Sequence, residues 1–195
     1  MLENGRVLQG ESRISRSRSP IRRVRLVPRT VQPLPEVMEA FAEADLILLG
    51  PGSLYTSVIP NLLVPGVAQA IAKSRAPRVY IANIMTQPGE TSGLTLADHV
   101  RAIHHHTGEK IVDFVVVNNR AIGPEMARRY KAEGAEPVRL DTDEVERMGI
   151  RCLSGNLLEV HSVIRHDSNR LASLILERFI KREAPPNRRR VAKRK

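Results

Sequence analysis

Residues 45–49, Asp-Leu-Ile-Leu-Leu, form an apolar run that Gly50, Pro51 and Gly52 stop abruptly, and Ser53, Tyr55, Thr56 and Ser57 follow at once. A run of this length and continuity predicts a strand buried on both faces of a sheet. The glycine-proline-glycine break predicts a tight turn at its carboxyl end. Open parallel sheets place their ligands at such loops, where glycines let backbone N–H groups come close to a phosphate or carboxylate. The same residues also suit a plain strand-to-helix turn.

Further along, helix and strand signals alternate. Residues 24–27 read as a strand, and Pro35 stands at the first position of a helix carrying Val37, Met38 and Phe41 on one stripe. Pro65 opens a second helix with Val67 and Ile71 on one face, and residues 78–83 form the next strand. Thr95 and Asp98 make a capping-box start for a helix with Leu96, Val100 and Ile103 in register, followed by a strand at 111–117. Gly123 and Pro124 begin a helix bearing Met126 and Tyr130, residues 137–140 are extended, and Asp141 with Glu144 caps a small helix ending at Gly149. Residues 160–164 read as a late strand. Asp167 and Ser168 cap a final helix whose Leu171, Leu174, Ile175 and Phe179 face inward. This alternation predicts an α/β fold, with a mainly parallel sheet flanked by helices.

A chain of 195 residues is expected to form one domain, here residues 1–180, and with 3% aromatic residues and no Trp its interior must be aliphatic. The single cysteine, Cys152, excludes an internal disulfide. With neither a leader signature nor a run of 18 apolar residues, a cytoplasmic location without a membrane span is expected. The net charge of +10 sits mainly at the two ends. Residues 181–195, which carry eight Lys/Arg and one Glu, read as a disordered basic tail. Such a tail has the charge to touch nucleic acid or an anionic surface, though the plainer reading is a solubilising arm.

If the strands are parallel, three loops open onto one edge of the sheet: residues 50–57, 84–91, and Asn118-Asn119. The first offers Gly50, Pro51, Gly52, Ser53, Thr56 and Ser57. In and beside the second stand Asn83, Thr86, Gln87, Gly89, Glu90 and Thr91, whose hydroxyl, amide and carboxylate groups are those that read sugar hydroxyls and uridine-type edges. Arg165, His166 and Asp167 fall between a strand and the last helix. A planar cation, an imidazole and free helix N–H groups there suit a phosphate, or alternatively a cap and a surface ion pair. His104, His105 and His106 point about 100° apart on a helix and so cannot converge on one ion, and no metal site is expected. Asp98 and His99, in the first turn after the polar loop, are better placed for a site.

These motifs carry a resemblance. The stretch GPGSLYTSVIPNLLVPGV (50–67), then NIMTQPGET (83–91) with Asp98-His99 downstream, VVVNN (115–119) and VIRHD (163–167), resembles in order and spacing the carboxyl-terminal half of the YvcK/CofD-like family. The first two motifs look like its gluconeogenesis-factor branch. The resemblance implies a Rossmann-like sheet and a regulator that binds a nucleotide sugar such as UDP-N-acetylglucosamine without turnover, linking carbon metabolism to cell-wall synthesis and cell shape. It makes the two polar loops the ligand pocket and Arg165 the residue that engages the ligand's phosphates, with no cofactor. The alternative is a 2-phospho-L-lactate transferase-like enzyme using Mg²⁺ and a nucleotide diphosphate leaving group. Family members open with a GGGTG-type phosphate-binding loop that this sequence lacks, and its residues 6–10 read as a hairpin pairing with strands upstream. The chain is therefore expected to bind ligand poorly by itself and to form homo-oligomers.

Overall fold

A computed structural model describes residues 1–180; the stretch at 181–195, read above as a disordered tail, lies outside the described residues. Four parallel strands, β1 (Ile47–Leu49), β2 (Arg78–Ile81), β3 (Phe114–Asn118) and β4 (Arg151–Gly155), lie side by side in chain order. This is the predicted α/β arrangement with flanking helices, of which α1 (Glu11–Ser15) and α2 (Pro35–Glu43) precede the first strand.

Side-chain alternation along each strand explains the layering. Tyr80, Val115 and Val117 face one layer, where they meet Ile59, Leu62, Ile71, Leu96, Val100 and Ile103 from three helices: α3 (Ile59–Leu62), α4 (Val67–Lys73) and α5 (Leu96–Thr107). Val79, Ile81, Phe114 and Val116 face the other, against Leu171 and Ile175 of the terminal helix, Ser168–Phe179. Each of these side chains is nearly or fully buried, which stabilises the fold by about 1.5–3 kcal/mol relative to exposure. The α5 helix starts where the sequence predicts, since the Thr95 hydroxyl and Asp98 carboxylate cap each other's backbone N–H.

Several local expectations are corrected. β1 is an edge strand of the sheet, and Leu48 is 44% exposed, so this run is not buried on both faces. Residues 6–10 form no hairpin: the turn lies earlier, closed by Leu2 and Arg6 around Gly5 at φ 81°, and Leu2 bridges Ile21. Gly10 instead leads into the short helix Glu11–Ser15. Residues 24–27 join no ladder, because the Val24 N–H donates to His106 Nε2 at 3.1 Å. The loop after Gly52 winds into a π-helical turn, Leu54–Val58, that continues into α3. Asp141 lends its carboxylate to the Ala97 N–H of α5, at 2.9 Å, instead of capping the helix Thr142–Arg147 that follows it. The late strand is a hairpin of β5 (Leu158–Val160) and β6 (Ile164–His166). Among the described residues no single helix is long and apolar enough to cross a membrane.

Candidate functional site

Because β1, β2 and β3 run parallel, the loops that follow them open at one edge. The first two loops are joined by three hydrogen bonds. Asn83 Nδ2 donates to the Gly52 carbonyl at 3.1 Å, Gln87 Nε2 to the Ser53 hydroxyl at 2.8 Å, and the Thr56 hydroxyl to Glu90 at 3.1 Å. These rungs connect residues 31 or 34 positions apart, so the two polar segments singled out in the sequence act as one unit.

The glycines allow this closeness. Gly50, at φ 92°, lies over the end of β2, where an added Cβ would sit 3.3 Å from the Ile81 carbonyl. Pro51 follows it, and a Cβ on Gly52 would come within 3.1 Å of Ser57, whose carbonyl accepts from Asn61 at 2.6 Å. In the second loop Thr86 is tied away from the edge, exchanging two bonds with the Glu136 backbone. The Thr91 hydroxyl accepts the Gln87 backbone N–H at 2.8 Å and so braces the loop backbone at Gln87. Gly89 lies beneath residues 17 and 18, where an added Cβ would fall 1.7 Å from the Ser17 carbonyl oxygen.

Two acceptors of this unit are buried without a hydrogen-bond partner, Gln87 Oε1 and Glu90 Oε2. Glu90 is 5% exposed. Burial pushes its carboxyl above the usual range, against the pull of the Thr56 hydroxyl, the Tyr55 N–H and the Ser15 hydroxyl. Beyond Thr56 lies a cavity of about 860 Å³, walled by Leu8, Ile14, Ile21, Val24 and Tyr55.

The third loop is turned elsewhere: Asn118 Oδ1 accepts the Leu157 N–H at 3.1 Å, and its amide closes on Arg120. The Arg165 group is also arranged differently from the sequence expectation. Arg165 sits within β6, not at a helix start, and is exposed, while its neighbours Ile164 and His166 are half-buried. Strand alternation therefore sends Arg165 to the face opposite His166. Burial lowers the His166 pKa, opposed by a hydrogen bond to the Ala82 backbone at the end of β2. Asp167 caps the terminal helix through the Arg170 N–H at 3.0 Å and pairs with the Arg170 side chain.

Two residues behind the loops escaped the sequence reading as a pair. Tyr80, fully buried in β2, donates its hydroxyl to Asn83 Oδ1 at 3.3 Å and lies 3.1 Å from His99 Nδ1. His99 is fully buried, and burial lowers its pKa to about 4, against the nearby Asp98 and Asp141 charges. Asp98 belongs to the helix cap, not to the site. The signal for His99 was its spacing, three residues after Leu96 and four before Ile103 on the inward stripe. His104, His105 and His106 diverge: His106 is buried, bonding the Val24 N–H and the Ala102 carbonyl, His104 is half-buried with its Nε2 enclosed, and His105 is exposed.

Comparison with known proteins follows the same stretch of chain. The family model described as 2-phospho-L-lactate transferase CofD matches residues 1–158. The gluconeogenesis factor of Bacillus subtilis is 45% identical over 177 residues, which are 90% of this chain and 56% of that protein. The putative gluconeogenesis factor of Clostridium acetobutylicum is 38% identical over 195 residues, covering 97% of this chain and 43% of its own length. A crystal structure of a UPF0052-family protein from Bacillus halodurans superposes with a TM-score of 0.86 at 43% identity, over 90% of this chain and 56% of that one. The chain spans about half the length of the curated relatives it matches.

Proposed function

The chain belongs to the 2-phospho-L-lactate transferase CofD family, beside relatives named gluconeogenesis factors, and we propose that its joined loops bind a nucleotide sugar of the UDP-N-acetylglucosamine type. The observation that carries this reading is the three-rung unit at the carboxyl edge of the sheet, with its two unpartnered acceptors. Sugar and uracil groups offer O–H and N–H donors of the kind that the hydroxyl, amide and carboxylate groups of these two loops take. Thr56 belongs both to this unit and to the wall of the 860 Å³ cavity, a volume within the roughly 300–1,000 Å³ of small-molecule sites. Arg165, exposed on the β5–β6 hairpin and without an ion pair among the described residues, is assigned to the diphosphate by the family resemblance alone.

In this reading the protein is a regulator: ligand occupancy is its output, linking carbon metabolism to cell-wall synthesis and cell shape. A ligand that binds only the folded state raises thermal stability, by about 2.7 kcal/mol at a hundredfold excess over Kd. Thermal melts with UDP-N-acetylglucosamine, UDP and N-acetylglucosamine test it. The expected order of stabilisation is the full nucleotide sugar first, UDP second and the free sugar last. No shift with any of the three, both for the chain by itself and for the chain supplied with the part of the Bacillus subtilis factor that it does not span, contradicts the reading. The family's own description carries a second reading, a transferase of the 2-phospho-L-lactate type, and turnover of a phosphorylated hydroxy-acid donor in the presence of Mg²⁺ would establish it.

A further inference from the structure

We propose that His99 and Tyr80 are positioning residues for this site, forming a one-way chain of donors that fixes the Gly50-Pro51-Gly52 turn: His99 Nδ1–H to the Tyr80 oxygen, Tyr80 O–H to Asn83 Oδ1, and Asn83 Nδ2–H to the Gly52 carbonyl. Its meaning for ligand binding rests on the function proposed above. The chain itself stands on geometry.

The direction follows link by link. The Gly52 carbonyl can only accept, so Asn83 turns its amide nitrogen there, at 3.1 Å, and its oxygen toward Tyr80. That oxygen can also only accept, so the single Tyr80 proton goes to it, at 3.3 Å. With its proton committed, the Tyr80 oxygen serves His99 Nδ1, 3.1 Å away, as an acceptor. The imidazole proton is therefore on Nδ1, and Nε2 is bare. Nε2 is in fact buried with no partner, and the opposite tautomer would strand an N–H donor at that point in the core.

The origin of the chain is held firmly. His99 lies in the first turn of α5, which is fixed by the Thr95–Asp98 cap and by the Asp141 carboxylate on the Ala97 N–H. Tyr80 is held in β2 between β1 and β3, in register with Leu49, the last residue before the turn, on one side and Val115 on the other. Neither His99 nor Tyr80 is exposed, so both act through Asn83 and not on a ligand directly.

The test is ¹⁵N NMR on the 195-residue chain, with no ligand added. In the unsubstituted protein His99 is expected to be neutral and protonated at Nδ1; protonation at Nε2 overturns the proposal. Tyr80→Phe keeps the ring and removes the relay, and is expected to speed solvent exchange of the Asn83 side-chain amide, which donates to the Gly52 carbonyl, about tenfold, the equivalent of one hydrogen bond. His99→Leu keeps the bulk without the donor and should speed exchange similarly, whereas His99→Asn, whose amide can donate from the Nδ1 position, should restore protection. Equal protection in the Leu and Asn variants would mean that His99 serves only as filler, and contradicts the chain. Because no step uses a nucleotide sugar, a failure of UDP-N-acetylglucosamine to bind would count against the proposed function alone.

Discussion

Gln87 and Ser53, 34 residues apart, meet at 2.8 Å with the amide nitrogen donating to the hydroxyl. This contact leaves Gln87 Oε1 buried and unpartnered. Gln87→Ala removes both the rung and the free acceptor, and is expected to weaken UDP-N-acetylglucosamine binding by about 1–2 kcal/mol. The loop backbone stays in place through the Thr86–Glu136 pairing, so the melting temperature should move little. Parallel titration calorimetry and thermal melts check this, and unchanged affinity would remove Gln87 from the site.

Residues 15–18 press on the second loop. At Gly89 an added Cβ would fall 1.7 Å from the Ser17 carbonyl oxygen, at a φ of 81° that disfavours any side chain. Gly89→Ala should therefore lift this segment and speed tryptic cleavage after Arg16 and Arg18. Unchanged cleavage kinetics would show that the loop yields instead.

The starts of β2 and β3 are clamped by Asp113, which accepts from the Arg78 backbone N–H at 2.9 Å and from Nε at 2.7 Å. The Arg78 contact outweighs burial and holds the Asp113 carboxyl below its usual range. Its side chain is 34% exposed, so solvent screening reduces the effect, and Asp113→Ala is expected to cost about 1–2 kcal/mol in urea denaturation. A loss below experimental error would contradict a clamping role.

His99 gives the fold an acid-sensitive element. Its unfolded imidazole takes a proton near pH 6.5 but the folded one only near 4, so the unfolded state binds more protons between these values. Its contribution is therefore complete above pH 6.5 and falls away as the pH drops, by up to about 3 kcal/mol at pH 4. Glu90 acts in the opposite sense, since a raised carboxyl pKa favours the fold as the pH falls. Comparing melts of the unsubstituted protein and His99→Asn isolates the histidine. The variant should lose less stability between pH 7 and pH 5, and identical pH profiles would contradict the burial argument.

Where side-chain periodicity was strong, the sequence was legible: α5 begins at its capping box, and the strand interiors at Tyr80 and Val115–Val117 face the core. The polar loops after β1 and β2 were also picked out correctly as neighbours, because parallel strands bring consecutive loops to one edge. β4 was missed because Arg151 and Ser154 are exposed and interrupt its apolar character at the other end of the sheet. The overestimated burial of residues 45–49 has a related cause, since composition does not tell an edge strand from a central one. The Tyr80–His99 link joins a strand to a helix 19 residues later, a pairing fixed by tertiary packing, and no local spacing encodes it.

The most direct test is calorimetric titration of UDP-N-acetylglucosamine into the chain, by itself and supplied with the part of the Bacillus subtilis gluconeogenesis factor that it does not span. The account predicts saturable binding at one site per chain, strongest in the completed mixture, and weakened by Arg165→Ala by about 1.5–3 kcal/mol, the range for a charge-assisted hydrogen bond. Heats indistinguishable from dilution in both settings would contradict a nucleotide-sugar site at this edge of the sheet.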